Sequence, residues 1–331
     1  MQHSFATNKK GDSPMVKSVT LVFPGQGAQY VGMGKALENQ PSFEFLNKAN
    51  QSLGFDLKTM MLEGPDEELK MTANTQPAIL THSVALFDKV SEVLLNKGIK
   101  IDRVLGHSVG EYAALVAAKC LSFEDAVKAV NLRGTYMQEA VPAGKGKMIA
   151  VMKVPMEKIQ ECCKAVSQDG NEVMAANFNE PNQTVISGHA EACDRAVKWF
   201  EENIEDAYRC VELNVSAPFH SSLMKPAREK LAEHLNTIEF RPTFVPYVAN
   251  IDAKEYPADT SGDVVKKNLI EQVDGSVRWT QSIAALPDDT VCIEVGPGRV
   301  LMGLIRKINR NIKVISLDKE GAFEELLEVL S

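Results

Sequence analysis

Gly106-His107-Ser108-Val109-Gly110 fits the pattern G-x-S-x-G. It follows a short apolar strand ending in Arg103-Val104-Leu105 and opens a helix. In that setting a strained strand-to-helix turn projects a serine hydroxyl from the edge of a sheet. The glycines are needed because side chains there would collide with neighbouring backbone. The chemistry implied is nucleophilic, and the free N–H groups of the helix start suit a developing oxyanion. A serine at its ordinary pKa attacks poorly without a base. Six histidines are available: His3 lies in a polar tail, His107 sits inside the turn, and His82, His189 and His234 fall on helical patterns. His220 follows a strand-like stretch, 212–219, and precedes a helix beginning at Ser221. That places it at a strand's carboxyl end, where catalytic groups of open α/β sheets gather, and makes it the expected base.

Two further features have chemical meaning. Pro24-Gly25-Gln26-Gly27-Ala28-Gln29 follows the first strand but fails G-x-G-x-x-G, because Tyr30 replaces the third glycine. No Gly-Lys-Ser/Thr follows it either, so a phosphate loop is excluded. A loop beside a nucleophile turn is better suited to donate an N–H, and the backbone amides of Gln26 and Val109 are the expected oxyanion pair. Gly296-Pro297-Gly298 reads as a structural strand-to-helix turn. Along 123–140, Ala126, Val130, Met137 and Ala140 share an apolar helix face with Arg133 in its middle. A guanidinium there needs an anion, either an internal carboxylate or one carried by a substrate, which Arg's planar fork binds bidentately.

The elements that would position these groups alternate. Strands are expected at 16–23, at the stretch ending in 103–105, and at 244–249, 291–295 and 313–317. Helices are expected at 43–53, 76–95, 111–118 and 123–140. This is the order of a mostly parallel sheet covered on both faces. A glycine-rich hinge at 143–147 leads into strand 148–152, helix 156–166, strands 172–178 and 184–187, helix 190–202 and strand 208–213. That βαββαβ order matches a ferredoxin-like unit. The expected architecture is α/β: a large α/β-hydrolase-like domain (17–146 and 212–331), with a small ferredoxin-like domain (147–211) inserted. Residues 1–16 read as a flexible tail, with Met15 a candidate start.

The 331 residues carry 36 Lys and Arg against 44 Asp and Glu, a net charge of −8 that does not suit nucleic acid as a partner. No apolar run approaches the length of a spanning helix, and the first residues lack a signal-peptide core. The six cysteines are scattered without C-x-x-C spacing, which fits reduced thiols in a cytoplasmic enzyme.

Together these pieces resemble the malonyl-CoA:acyl-carrier-protein transacylases of type II fatty acid synthesis, and also polyketide acyltransferase domains. The resemblance runs from about Lys17 to the C-terminus. It rests on Phe-Pro-Gly-Gln-Gly-Ala-Gln (23–29), Gly-His-Ser-Val-Gly-Glu-Tyr (106–112), Arg-Gly-Thr-Tyr-Met-Gln-Glu-Ala (133–140), Asn-Phe-Asn-Glu-Pro-Asn-Gln-Thr-Val-Ile-Ser-Gly (177–188), Ala-Pro-Phe-His-Ser-Ser-Leu-Met (217–224) and Glu-Val-Gly-Pro-Gly (294–298). It implies Ser108 as the acylated residue, His220 as base, Arg133 as holder of the malonyl carboxylate, and Gln26 and Val109 as oxyanion donors. It further implies that the backbone carbonyl of Gln272 orients His220, although Ser276 stands where the family pattern has a proline, and that Gln76 lines the acyl pocket. Phe219 resembles the malonyl-selective form.

The implied reaction is ping-pong, from malonyl-CoA to the phosphopantetheine of holo acyl carrier protein, with neither metal nor bound cofactor and the chain acting as a monomer. The carrier is acidic, and Arg299, Arg306, Lys307, Arg310 and Lys313, in a segment without Asp or Glu, are the expected docking face. The rival readings are a serine thioester hydrolase, a trans-acting polyketide acyltransferase and a catalytically silent carrier-docking protein.

Overall fold

Six consecutive residues, Ser18–Phe23, form β1, and all but the first are buried, as a strand covered on both faces requires. This structure, a computed structural model, describes residues 16–319 and 321–331. The expected tail therefore lies, except for Val16, outside the described residues. After β1 come α1 (Glu44–Leu53), α2 (Leu57–Glu63), α3 (Asp66–Leu69), α4 (Thr72–Asn96), β2 (Lys100–Gly106), α5 (Gly110–Ala117) and α6 (Phe123–Glu139). The chain then forms β3 (Gly146–Met152), α7 (Met156–Val166), β4 (Val173–Glu180), β5 (Gln183–His189), α8 (Ala190–Asn203) and β6 (Arg209–Glu212). It closes with α9 (Lys225–Leu235), β7 (Tyr247–Val248), β8 (Glu255–Tyr256), α10 (Gly262–Gln272), α11 (Trp279–Ala284), β9 (Val291–Glu294), α12 (Val300–Ile308), β10 (Lys313–Ser316) and α13 (Ala322–Val329).

The strands form two sheets. One has the order β10-β9-β1-β2-β7-β8, parallel except where β8 runs against β7. The other is antiparallel with the order β4-β5-β3-β6, the ferredoxin-like arrangement of a βαββαβ unit. The α/β architecture expected from the sequence is the one observed. Helices α7 and α8 cover the second sheet around Ile159, Cys162, Cys163, Ala196 and Phe200. The second sheet is tied to the segment between α10 and α11 where Phe178 N–H donates to the Val277 carbonyl (2.9 Å) and Val277 N–H to that of Ala176 (2.8 Å).

Helix α4 begins one turn earlier than the pattern 76–95 suggests and carries Pro77 inside it. A proline cannot donate to the carbonyl four residues back. That carbonyl, of Ala73, instead accepts from Asn131 Nδ2 on α6 at 2.9 Å. The bond joins the helices that carry Gln76 and Arg133. Gly134 completes the contact, because a Cβ there would lie 2.5 Å from the Thr72 carbonyl oxygen.

Two strand expectations need correction. The stretch 212–219 is not a strand: β6 stops at Glu212, and tight turns follow, with Val215 N–H on the Leu213 carbonyl and Phe219 N–H on that of Ala217. The stretch 244–249 shrinks to Tyr247–Val248, since Pro246 has no N–H for the ladder.

Candidate active site

The turn from β2 into α5 holds Ser108 at φ 50°, a left-handed conformation rare for a residue with a side chain. Its flanking glycines stand against backbone. A Cβ on Gly110 would lie 2.2 Å from the Phe23 oxygen, and one on Gly106 only 2.0 Å from the Gly110 carbonyl carbon. Asn250, just past β7, braces the turn. Its Oδ1 accepts from Ser108 N–H at 2.7 Å, and its Nδ2 donates to the Gly106 carbonyl at 2.6 Å. Asn250→Ala leaves both groups without that partner, the Gly106 carbonyl in a buried place and the Ser108 N–H in a half-buried one. It is expected to cost about 3 kcal/mol in urea unfolding, and a loss under 1 kcal/mol would show the brace to be dispensable.

His220 does not stand at a strand's end. It occupies a turn at φ 56°, ahead of a short 3-10 helix (Ser222–Met224). Its Nε2 nevertheless lies 2.8 Å from Ser108 Oγ. Its Nδ1 faces two carbonyl oxygens, of Gln272 at 2.9 Å and Gly275 at 3.1 Å. Carbonyls only accept, so Nδ1 carries the proton and Nε2 presents its lone pair to the serine. Burial, with the Arg133 cation adding to it, pulls His220 down to about 3, so the imidazole is neutral at ordinary pH. Ser276, the departure from the family pattern, leaves this geometry intact and donates its hydroxyl to the Ala175 carbonyl at 2.7 Å. His107 points elsewhere, with Nε2 2.9 Å from Asn179 Oδ1 and its ring edge-on to Trp279.

Arg133 is 1% exposed. It donates to Gln76 Oε1 (2.8 Å), Gln272 Oε1 (3.0 Å) and Ser108 Oγ (3.1 Å), and its Nε has no partner. Among the described residues no carboxylate forms an ion pair with it, so the internal salt bridge weighed from the sequence is absent. The nearest balance is indirect. Gln272 Nε2 donates to the buried Glu111 Oε2 at 2.7 Å, and burial pushes that carboxyl up to about 7. A dry cation held by neutral groups beside a nucleophile is a receptor for an anion.

A cavity of about 160 Å³ opens over these groups, lined on the first sheet's side by Gln26, Ser108, Val109 and Arg133, and on the other by Met148, Asn177 and Val185. Among the described residues, the Gln26 and Val109 amides make no internal hydrogen bond. The structure thus brings all seven sequence-derived residues together: Ser108, His220, Gln26, Val109, Arg133, Gln76 and Gln272.

The acyl transferase domain family matches residues 20–318. The malonyl CoA-acyl carrier protein transacylase of Bacillus subtilis is 42% identical over 319 residues, covering 95% of this chain and 98% of that one. The chain is a member of the malonyl CoA-acyl carrier protein transacylase family. Among solved structures, an acyl carrier protein S-malonyltransferase from Vibrio cholerae superposes with a TM-score of 0.86 at 37% identity, covering 93% of this chain and 99% of that chain. A malonyl-transacylase solved in complex with its type II PKS acyl-carrier protein gives the same score at 38% identity, covering 94% and 99%.

In this member of the transacylase family, sequence reasoning passed over Asn250, Glu111 and the Gly275 carbonyl. A polar residue closing an apolar strand was the available signal for Asn250. Glu111 was visible only as an unassigned acid inside the serine motif. Buried groups also set the response to acid. Burial lowers His82 to about 4 and His220 to about 3 from 6.5, and raises Glu111 and Glu294 to about 7 from 4.5. The neutral histidines contribute stability that is whole above pH 6.5 and lost as the pH falls toward 4 and 3. The two carboxyls contribute stability that is whole below pH 4.5 and lost as the pH rises through 7. The pairs oppose one another between 4.5 and 6.5 while burial also lowers His107 and His234, so Tm should decline only gently as the pH falls through that range. Below pH 4.5 the carboxyls no longer offset the histidines, and the unfolding free energy should fall by about 1.4 kcal/mol per pH unit for each histidine still neutral in the fold. A Tm that stayed level or rose as the pH fell below 4.5 would contradict this assignment.

Proposed function

We propose that this protein moves a malonyl group from CoA to the phosphopantetheine thiol of an acyl carrier protein, through a malonyl ester on Ser108. The observation that carries the reading is the unpaired Arg133 guanidinium 3.1 Å from the same Oγ that His220 Nε2 meets at 2.8 Å. A nucleophile, its base and a carboxylate receptor share one cavity, as transfer of a dicarboxylic acyl group requires.

The malonyl carboxylate takes the Arg133 fork, which sets the thioester carbonyl against Ser108. As the Oγ–C bond forms, the serine proton passes to His220 Nε2, and the oxyanion accepts from the Gln26 and Val109 amides. Collapse breaks the C–S bond, and the proton returns from His220 to the CoA sulfur. The carrier thiol then gives its proton to His220 and attacks the ester, and cleavage of the C–Oγ bond, with that proton passing from His220 to Oγ, restores Ser108 and the neutral base. CoA enters as substrate, and the chemistry as written calls on side chains and backbone alone. The carboxylate also cancels the cation that suppresses protonation of His220, so the base strengthens when the acidic acyl group is seated.

Intact-mass measurement after incubation with malonyl-CoA tests the reading. A gain of one malonyl group that holo carrier protein then discharges supports it, and discharge by water at the same rate would favour the hydrolase. The relative solved with its PKS carrier makes a polyketide carrier the second reading, and discharge rates with the two carrier types decide between them.

The basic segment 299–313 is exposed at all five cations, and Arg306, Arg310 and Lys313 line one groove. Lys307 is turned toward Glu180 on β4 at 3.3 Å and is the least available of the set. Arg306→Glu with Arg310→Glu should raise the half-saturating carrier concentration about tenfold and leave that for malonyl-CoA alone. Equal effects on both substrates would remove the docking role. The cytoplasm is the proposed location; no described helix is long and apolar enough to cross a membrane.

A further inference from the structure

The loop carrying Gln26 is fastened at two points. On one side Gln26 Nε2 donates to Thr72 Oγ1 (3.3 Å), which shares a hydrogen bond with Ser216 Oγ (2.8 Å). On the other, the loop ends at Tyr30, whose hydroxyl donates to Asp318 Oδ1 at 3.0 Å across 288 positions of sequence. The second oxygen of the same carboxylate accepts from Gly298 N–H at 2.6 Å. Gly298 is held in turn by Ser316 Oγ on its carbonyl (2.9 Å).

The turn 296–298 packs on the loop 24–30, against the Pro24 ring at one glycine and the Ala28 backbone at the other. A Cβ on Gly296 would come within 2.4 Å of Pro24 Cδ, and one on Gly298 within 3.3 Å of the Ala28 oxygen. The contact leaves no room for a Cβ at Gly296, so a shift of one segment is transmitted to the other. Among the described residues Asp318, its side chain 11% exposed, is the single side chain hydrogen-bonded to both, and the buried His82 Nε2 stands 3.7 Å from its Oδ1. Asp318, Tyr30 and Gly298 touch none of the reacting atoms, and the chemistry described above leaves them unused.

We propose that Asp318 is a positioning residue: by accepting from Tyr30 and Gly298 together, it sets the loop that aims the Gln26 amide at the oxyanion. The inference rests on the reading of that amide as an oxyanion donor. Loss of Asp318 should therefore slow formation of the tetrahedral intermediate without weakening capture of the malonyl carboxylate, which Arg133 performs elsewhere.

Single-turnover formation of the malonyl enzyme, followed by quenched-flow mass spectrometry across malonyl-CoA concentrations, separates the two effects. Wild type is measured first; if it takes up no malonyl group, the functional reading fails and this proposal with it. With wild type active, Asp318→Ala should lower the saturating rate about tenfold and keep the half-saturating concentration within about twofold, since small misplacements cost more than they appear to. Asp318→Asn preserves shape but can accept from only one partner, and should fall between the two. Tyr30→Phe should cost about threefold in wild type and nothing further in the Asp318→Ala background, because both act through one bond. A saturating rate within twofold of wild type in Asp318→Asn, or full additivity of Tyr30→Phe with Asp318→Ala, overturns the proposal.

Discussion

Ser108→Ala is expected to take up no malonyl group from malonyl-CoA, with transfer to the carrier down about 10⁴-fold or more, as for other serine nucleophiles removed from intact machinery. The hydroxyl is the common partner of two groups: it gives its proton toward His220 Nε2 at 2.8 Å and accepts from Arg133 at 3.1 Å. Alanine removes the attacking atom while the turn keeps its Asn250 bonds, which go to the Ser108 backbone and to Gly106. The variant should therefore unfold at nearly the wild-type temperature. A variant that still gained a malonyl mass would place the ester on another residue and end the assignment.

Arg133→Ala should invert selectivity. Losing the partner of a desolvated carboxylate costs about 3–4 kcal/mol, so malonyl loading should fall by about 10²–10³-fold. Acetyl-CoA brings no carboxylate, and its loading should hold or rise. The change also moves the base. The cation is the second cause, after burial, of the depression of His220 to about 3. Without it the imidazole binds a proton at higher pH, so acetyl loading by the variant should acquire an acid limb closer to 6.5 than in wild type. Rates of acetyl and malonyl loading, measured from pH 4 to 8, test both parts. Malonyl preference unchanged by the substitution would refute the clamp, and an unmoved acid limb would refute the coupling between Arg133 and His220.

Both effects concern residues that were legible before any fold was seen. The serine announced itself through glycines that only backbone contacts explain, and Arg133 through a charge set in an apolar helix stripe. Local patterns carry such information because the requirement is local: a turn without room for a Cβ, or a buried face that rejects a cation. The alternation of strands and helices and the βαββαβ order followed from the same kind of periodicity.

What sequence patterns could not decide were matters of distance across the chain. Arg133 had two possible anions, and only the packing of α4 against α6, with Gly134 on Thr72 and Asn131 on the carbonyl that Pro77 leaves free, shows the guanidinium facing the cavity unpaired. His220 was expected at the end of a strand and instead sits in a left-handed turn, its tautomer set by carbonyls 52 and 55 positions further on. The roles of Asn250, Glu111 and Asp318 were not legible locally, because each meets its partners only after distant segments have packed. Side-chain type and spacing thus determined which chemistry this polypeptide is equipped for. The tertiary structure alone decided which groups meet and which charge is left bare, because hydrogen bonding and desolvation act over a few ångströms of space whatever the separation along the chain.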